Sequence, residues 1–397
     1  MLPLSLDKID EALLLELCDE GCPESQTLEF KRELPGKQDQ DKHELCKDVV
    51  ALANAEGGDL VYGIEEKDGV AGSIVGIITE SADVAIRRIN QVLDAGLEPR
   101  IHGLRIQQIP VSDGYVLILR VPSSYDGPHC IRTNSNNKQQ RRFVMRNGTM
   151  VSDMSYDQIR GAFDRTATLA EQARRFIATR RELIAKGETP VPLKAGPQLV
   201  VHLVPIAGLA GRMSVDLKPI YERSWTDFIR GWGGSDCVYN LDGLVVHSGG
   251  RGEVSHCCYN QIFRTGTFEG VKLGGSVQGD QKPILGSSRM SEFFYSSAKM
   301  FIEKVKSWGF SGPALLGFSI LNVKGYELWV GGGYNPYIRP VMADRQHLVP
   351  SEVWIEDIDT VDIDSVIRPL LDTLWQAFGV ERCYDFDATG KFAPRQR

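Results

Sequence analysis

Glu24, Glu29 and Lys31 fall within one short stretch, ESQTLEFKRE, running from Glu24 to Glu33. Carboxylate oxygens in that density suit a hard divalent cation, Mg²⁺ or Mn²⁺, which prefers oxygen ligands and leaves room for water and phosphate. A metal held there would polarise a phosphodiester and supply hydroxide, and a lysine beside it would neutralise charge developing on the phosphate. A further pair of acids, Glu65 and Glu66, follows the segment GGDLVYG. Ordinary exposed acids are the plain alternative, and spacing alone does not separate the two.

The elements that must position these residues can be read from periodicity. In QTLEFKRE the period is two, so Thr27, Glu29 and Lys31 point one way, expected to be solvent, while Leu28 and Phe30 point into a core. DKHELCKDVVALANAEGG reads as an amphipathic helix with Leu45, Val49, Leu52 and Ala53 as its stripe, stopped by Gly57 and Gly58. DLVYGIEE is a strand, and KDG turns into another near Ile74 to Ile78. If this strand neighbours the first, its acids approach Glu29. Glu65 and Glu66 alternate faces, and Glu66 is the one expected on the Glu29 side. Ala82 to Leu97 looks helical, two strands meet at Ser112, Asp113 and Gly114, and RRFVMRNGTMV is a strand with an Asn-Gly turn. Ser155 and Gln158 form a capping box that opens the next helix.

The chain has 397 residues, a formal charge of -7, 42% hydrophobic and 24% charged residues, which is the mix of a globular protein with more than one core. Its acidity argues against coating nucleic acid over the whole surface, so any such contact must be local. Two basic clusters qualify: KQQRR, with Lys138, Arg141 and Arg142, and the helical ARRFIATRRELIAKG, with Arg174, Arg175, Arg180 and Arg181. Eight scattered cysteines and no readable signal peptide or membrane span lead us to expect a reducing cytoplasm and no membrane partner. Phosphate-loop, dinucleotide, nucleophile-elbow and HExxH patterns are all missing. The Pro-rich ETPVPLKAGP closes a charged helix, so we expect a first domain over 1–164, a helical linker over 165–187 and a second, α+β domain over 196–397.

Four blocks in order, ESQTLEFKRE, ALANAEGGDLVYGIEEKDGVAG, YVLILRVPSSYDGPHCIR and RRFVMRNGTMVSDMSYDQIRGAF, resemble the Schlafen AlbA-like domain family. The resemblance covers roughly Cys22 to Phe163. It implies an α/β domain in which, in the animal Schlafen proteins, three acids and a divalent metal cut transfer and ribosomal RNA. On this sequence the family's acids land on Glu24, Glu29 and Glu66, with Lys31 beside them. The third position is an aspartate in the family, so Glu66 is a departure with a longer reach. Arg146 and His129 lie in family-like blocks and are candidates for backbone phosphate.

The expectation is therefore a metal-dependent endoribonuclease acting on structured, tRNA-like RNA in bacterial defence or stress. The rivals are a non-catalytic regulator that binds RNA or DNA through Lys138, Arg141, Arg142, Arg146 and the 165–187 helix, and an assembly protein driven by its second domain. A single acidic lobe offers little surface for a nucleic-acid helix, so a homodimer or larger even assembly is expected, with the second domain holding the copies or a protein partner together.

Overall fold

The computed structural model describes residues 2 and 6–394, apart from 125, 136–137, 212–213, 229–233, 250–254, 276–282, 311, 331–339 and 359. The chain divides into two units, Met1–Ala167 and Thr168–Arg397. The helix expected over 165–187 is one continuous element, α4, from Tyr156 to Lys186, which begins in the first unit and continues in the second.

The first unit is built on a four-stranded sheet in the order β1 (Leu28–Lys31), β2 (Gly57–Tyr62), β7 (Gly114–Pro122), β6 (Arg105–Val111). β1 runs parallel to β2, and the other pairs are antiparallel. One face packs under α1 (Glu11–Asp19) through Leu14, Leu28, Phe30, Val61, Val116 and Ile118. The opposite face packs under α2 (Asp39–Ala53) and α3 (Ala82–Gly96), with Leu45, Val49, Leu52, Leu60, Leu117 and Leu119 among the core residues. A hairpin of β3 (Ile64–Lys67) and β4 (Val70–Ile74) follows β2. Beyond α3 come β5 (Leu97–Glu98), paired with β8 (Cys130–Ser135), and β9 (Lys138–Arg142), which forms a hairpin with β8. β10 (Val144–Asn147) and β11 (Met150–Asp153) make a last hairpin before α4. Gly57, at φ +75, carries the chain from α2 into β2 where a Cβ would stand 2.5 Å from the Ser123 amide nitrogen, so no larger residue fits.

In the second unit, β12 (Gln198–Pro205) lies inside an antiparallel sheet whose described strands run β13 (Ser235–Tyr239), β14 (Gly243–Ser248), β15 (Cys258–Phe263), β16 (Phe268–Leu273), β12, β18 (Ala314–Leu321), β20 (His347–Leu348), with β21 (Val353–Ile355) also on β18. β17 (Ile284–Gly286) pairs in parallel with β19 (Glu327–Trp329). Helices α5 (Ser287–Ser307) and α6 (Ile363–Gln376) supply Phe294, Phe301, Leu371 and Trp375 to its interior. The 165–187 segment is not a solvated connector, because Ala173, Ile177 and Ile184 are buried.

Arg180 and Arg181, read as part of a basic binding face, are likewise enclosed. Arg180 makes two bonds to the buried Glu269 at 2.7 and 2.8 Å, and Arg181 reaches Glu352 at 2.6 Å and Ser319 at 3.0 Å. Tyr259 and His202 complete the shell of Glu269 at 2.8 and 3.0 Å. These arginines hold the helix to its sheet and are not available to phosphate.

Candidate functional site

The alternation expected in the first strand is present, with Leu28 and Phe30 buried and Glu29 and Lys31 on the other face. That other face is not solvent, which corrects the reading from period alone: β1 lies at the sheet edge, and α2 covers this side of it. The Glu29 side chain keeps 13% exposure, and its oxygens pair with Lys31 and with Arg146 of β10. Lys31 also faces Asp48 of α2 at 3.5 Å. Two carboxylates therefore share one half-exposed ammonium group.

The electrostatics follow from burial. Asp48 is pushed up to about 6, first by removal from water and then by the Glu29 charge, which together outweigh the attraction of Lys31. Burial acts on Glu29 in the same direction, but Lys31 and Arg146 prevail and hold it below the usual carboxylate range. Burial would lower Lys31, yet Asp48 and Glu29 keep its proton on more firmly than usual. Asp48 escaped the sequence reading, although a signal existed: it sits between Leu45 and Val49 on the helix face assigned to the core. An acid in an apolar stripe needs a partner.

The remaining acids are placed differently. Glu24 accepts a hydrogen bond from the Phe30 amide at 2.9 Å, so its carboxylate lies along β1. Its own amide donates to the Gly69 carbonyl at 2.8 Å. Glu66 is exposed on the β3–β4 hairpin and accepts from the Gly69 amide at 2.5 Å. A register shift separates it from Glu65, which pairs with Arg32. The structure thus brings Glu29 and Lys31 together, ties Glu24 to the same strand, and links Glu66 to Glu24 through the Gly69 backbone. Among the described residues Glu24, Glu29 and Glu66 are not drawn into one cluster: both Glu29 oxygens pair with positive groups, Glu24 is bonded along β1, and Glu66 lies on the hairpin.

Arg146, expected at a phosphate, is a correction: with 1% exposure it cannot meet a ligand from solvent. Besides Glu29 it binds the carbonyls of Ser25 and Gly148, at 3.1 and 3.2 Å. His129 is buried too, between the Pro99 carbonyl at 2.9 Å and the Ser124 hydroxyl at 2.6 Å, and burial lowers it to about 4. Arg141 and Arg142 are exposed on β9, where they pair with Glu98 at 2.8 Å and Asp153 at 2.6 Å. Arg132 stands directly across from Arg141 and is exposed as well. It was missed because its cross-strand partner is nine positions away and only the hairpin register joins them. The Lys138 side chain lies outside the described residues.

Residues 24–155 match the family model described as Schlafen, AlbA_2, and this part of the chain is a Schlafen AlbA-like domain. No curated protein matches the chain. Among solved structures, the DIP2311 protein of Corynebacterium diphtheriae is 18% identical over 36% of this chain, with a TM-score of 0.25. The chain spans only 26% of that protein's length. The N-terminal domain of an ATP-dependent DNA helicase RecG-related protein from Nitrosomonas europaea is 16% identical over 37% of this chain and 93% of that one, with a TM-score of 0.26. Likenesses this remote carry no argument about what this chain does.

Proposed function

We propose that the Met1–Ala167 unit is a nucleic-acid-binding module whose β8–β9 hairpin grips the phosphate backbone. The observation that carries this reading is the exposed trio Arg132, Arg141 and Arg142 on one hairpin. The partners of Arg141 and Arg142, Glu98 and Asp153, are surface acids, and surface pairs of this kind are worth roughly 0–1 kcal/mol, so phosphate can replace them. Arg132 donates to the Leu97 carbonyl at 3.2 Å through one of its several N–H groups. A local grip of this sort is compatible with an overall charge of -7.

A second reading, endonucleolytic cleavage of tRNA-like RNA, is favoured by the Glu29–Lys31–Asp48 group. Clustered groups with displaced proton affinities are typical of reactive sites, though structural ion pairs produce them as well. In this reading Lys31, the most exposed of the three, meets the phosphate and stabilises its developing charge, while the two carboxylates position the ammonium. A role in defence or stress, and assembly of two or more copies through the second unit, belong to the same proposal.

One experiment tests both. The purified chain is incubated with labelled tRNA, single-stranded RNA and DNA in Mg²⁺, Mn²⁺ or EDTA, and bound and cut fractions are measured together. Retention without cutting in every buffer supports the binding module alone. Cutting abolished by Lys31→Ala supports the second reading, and the EDTA arm decides whether a metal is needed. A chain that retains none of these probes would overturn both.

A further inference from the structure

Tyr156, Arg160 and Phe163 recur at the first turns of α4 with spacings of four and three, which places them on one face within about 60° of arc. The neighbouring positions face inward: Ala162 is buried, and the Thr166 hydroxyl binds the Gly127 carbonyl at 2.8 Å. The stripe itself is open, with Tyr156 76% and Phe163 55% exposed. The Arg160 guanidinium stands 5.8 Å from the centre of the Tyr156 ring. Phe143 meets Phe163 edge-on, with centroids 6.5 Å apart. Phe143 directly follows Arg141 and Arg142 in the chain, so the rings continue from the end of the hairpin arginines.

We propose that Tyr156, Arg160 and Phe163, extended by Phe143, form a stacking platform for the unpaired bases of a single-stranded nucleic acid. This rests on the binding-module reading and adds the substrate class to it. Seven residues of helix span about 10 Å, or roughly three stacked bases at about 3.4 Å each. Planar groups in such a row accept bases of any sequence, and an interleaved guanidinium adds cation–π attraction. Charge selects this occupant over an apolar protein face. The row has an arginine at its centre, 5.8 Å from the Tyr156 ring, so a strand lying on the rings meets a guanidinium with its phosphates. Asp157, 3.3 Å from Arg160, and Asp153, on Arg142, are exposed partners that a phosphate can replace.

The test uses the full chain and fluorescein-labelled oligo(dT) and oligo(U) of about twelve nucleotides, beside a duplex of equal length. Anisotropy should show tighter binding of the single strands, and Tyr156→Ala with Phe163→Ala should weaken that binding about tenfold or more, leaving the duplex almost unchanged. Because both side chains are mostly exposed, folding should be unaffected, and Tyr156→Phe with Phe163→Tyr should restore affinity. Single-strand binding that ignores the alanine pair overturns the platform while the module stands. Failure of the unaltered chain to bind any of the probes overturns the module itself. If the alanine pair instead turns an oligomer into a monomer in sedimentation, without changing single-strand affinity, the stripe is a contact between copies and the platform is wrong.

Discussion

Arg146 and Glu29, 117 positions apart in the chain, meet as an ion pair that joins β10 to the edge strand β1, with the guanidinium 1% exposed. The same arginine holds the Ser25 and Gly148 carbonyls, so it fixes the start of β1 as well as its charged face. Removing one partner of such a pair strands the other. We expect Arg146→Met to cost about 3–5 kcal/mol in urea unfolding, and the double variant Arg146→Met with Glu29→Leu to recover part of the loss. A single-variant cost near that of a surface pair would show that the linkage is not holding the strand.

Asp48 should make stability depend on pH in an unusual direction. Its folded value of about 6 lies above that of an unfolded aspartate, so between about pH 4 and 6 the folded chain keeps a proton that the unfolded chain has released. Stability therefore falls as pH rises through that window, and above it the ionised group costs about 3 kcal/mol at most. Asp48→Asn should match the unaltered chain near pH 4 and exceed it at pH 8 in the denaturation midpoint. Glu29, held low, works the opposite way, losing stability as pH falls, but it is present in both proteins and largely cancels. A gap between the two proteins that stays constant from pH 4 to 8 would remove Asp48 as the source.

What was legible in the sequence was mainly local. Period two separated Leu28 and Phe30 from Glu29 and Lys31, and the α2 stripe was read from Leu45 to Ala53, because both patterns depend on near neighbours. Periodicity gives the two faces of a strand but not what covers them. Here the helix that supplies Asp48 covers the face assumed to be solvent, and Arg146 fills the space beside Glu29 from far along the chain. The arginines of 165–187 misled for the same reason: Arg180 and Arg181 look like surface charge until β16 brings Glu269 and β18 brings Ser319 against them. Arg132 needed the register of a hairpin, which composition does not contain.

In the second unit, Glu269 is enclosed and held down to about 2. Burial opposes this, but the bonds from Arg180 and His202 prevail. Its contribution is present above the unfolded glutamate range and is lost as pH falls toward 2. Glu269→Gln leaves the Arg180 guanidinium half-buried with one charged partner fewer, and should lower stability by about 3–5 kcal/mol at pH 7. Hydrogen exchange should rise most in the Thr168–Lys186 part of α4, which that pair anchors. Uniform exchange along the helix would mean that Ala173, Ile177 and Ile184 alone hold it in place.

The hairpin arginines make a prediction in salt. If Arg132, Arg141 and Arg142 each neutralise a phosphate, each releases a counterion, and affinity falls with salt in proportion to the number of contacts. Substituting the three by alanine should weaken binding to unrelated sequences about equally and reduce the log–log salt slope by about one per arginine. Because the side chains are exposed, with two surface ion pairs and the Arg132 bond to the Leu97 carbonyl lost together, unfolding should change by at most about 2–3 kcal/mol. Lys31→Ala serves as the contrast. Lys31 sits between Glu29 and Asp48 and not on the hairpin, so its loss should lower the slope by about one at most, for the single phosphate it meets, while removing any cutting activity. A triple-alanine hairpin whose slope is unchanged would move the phosphate grip to another part of the unit, and a Lys31→Ala slope reduced as far as the hairpin's would place that grip at the sheet edge.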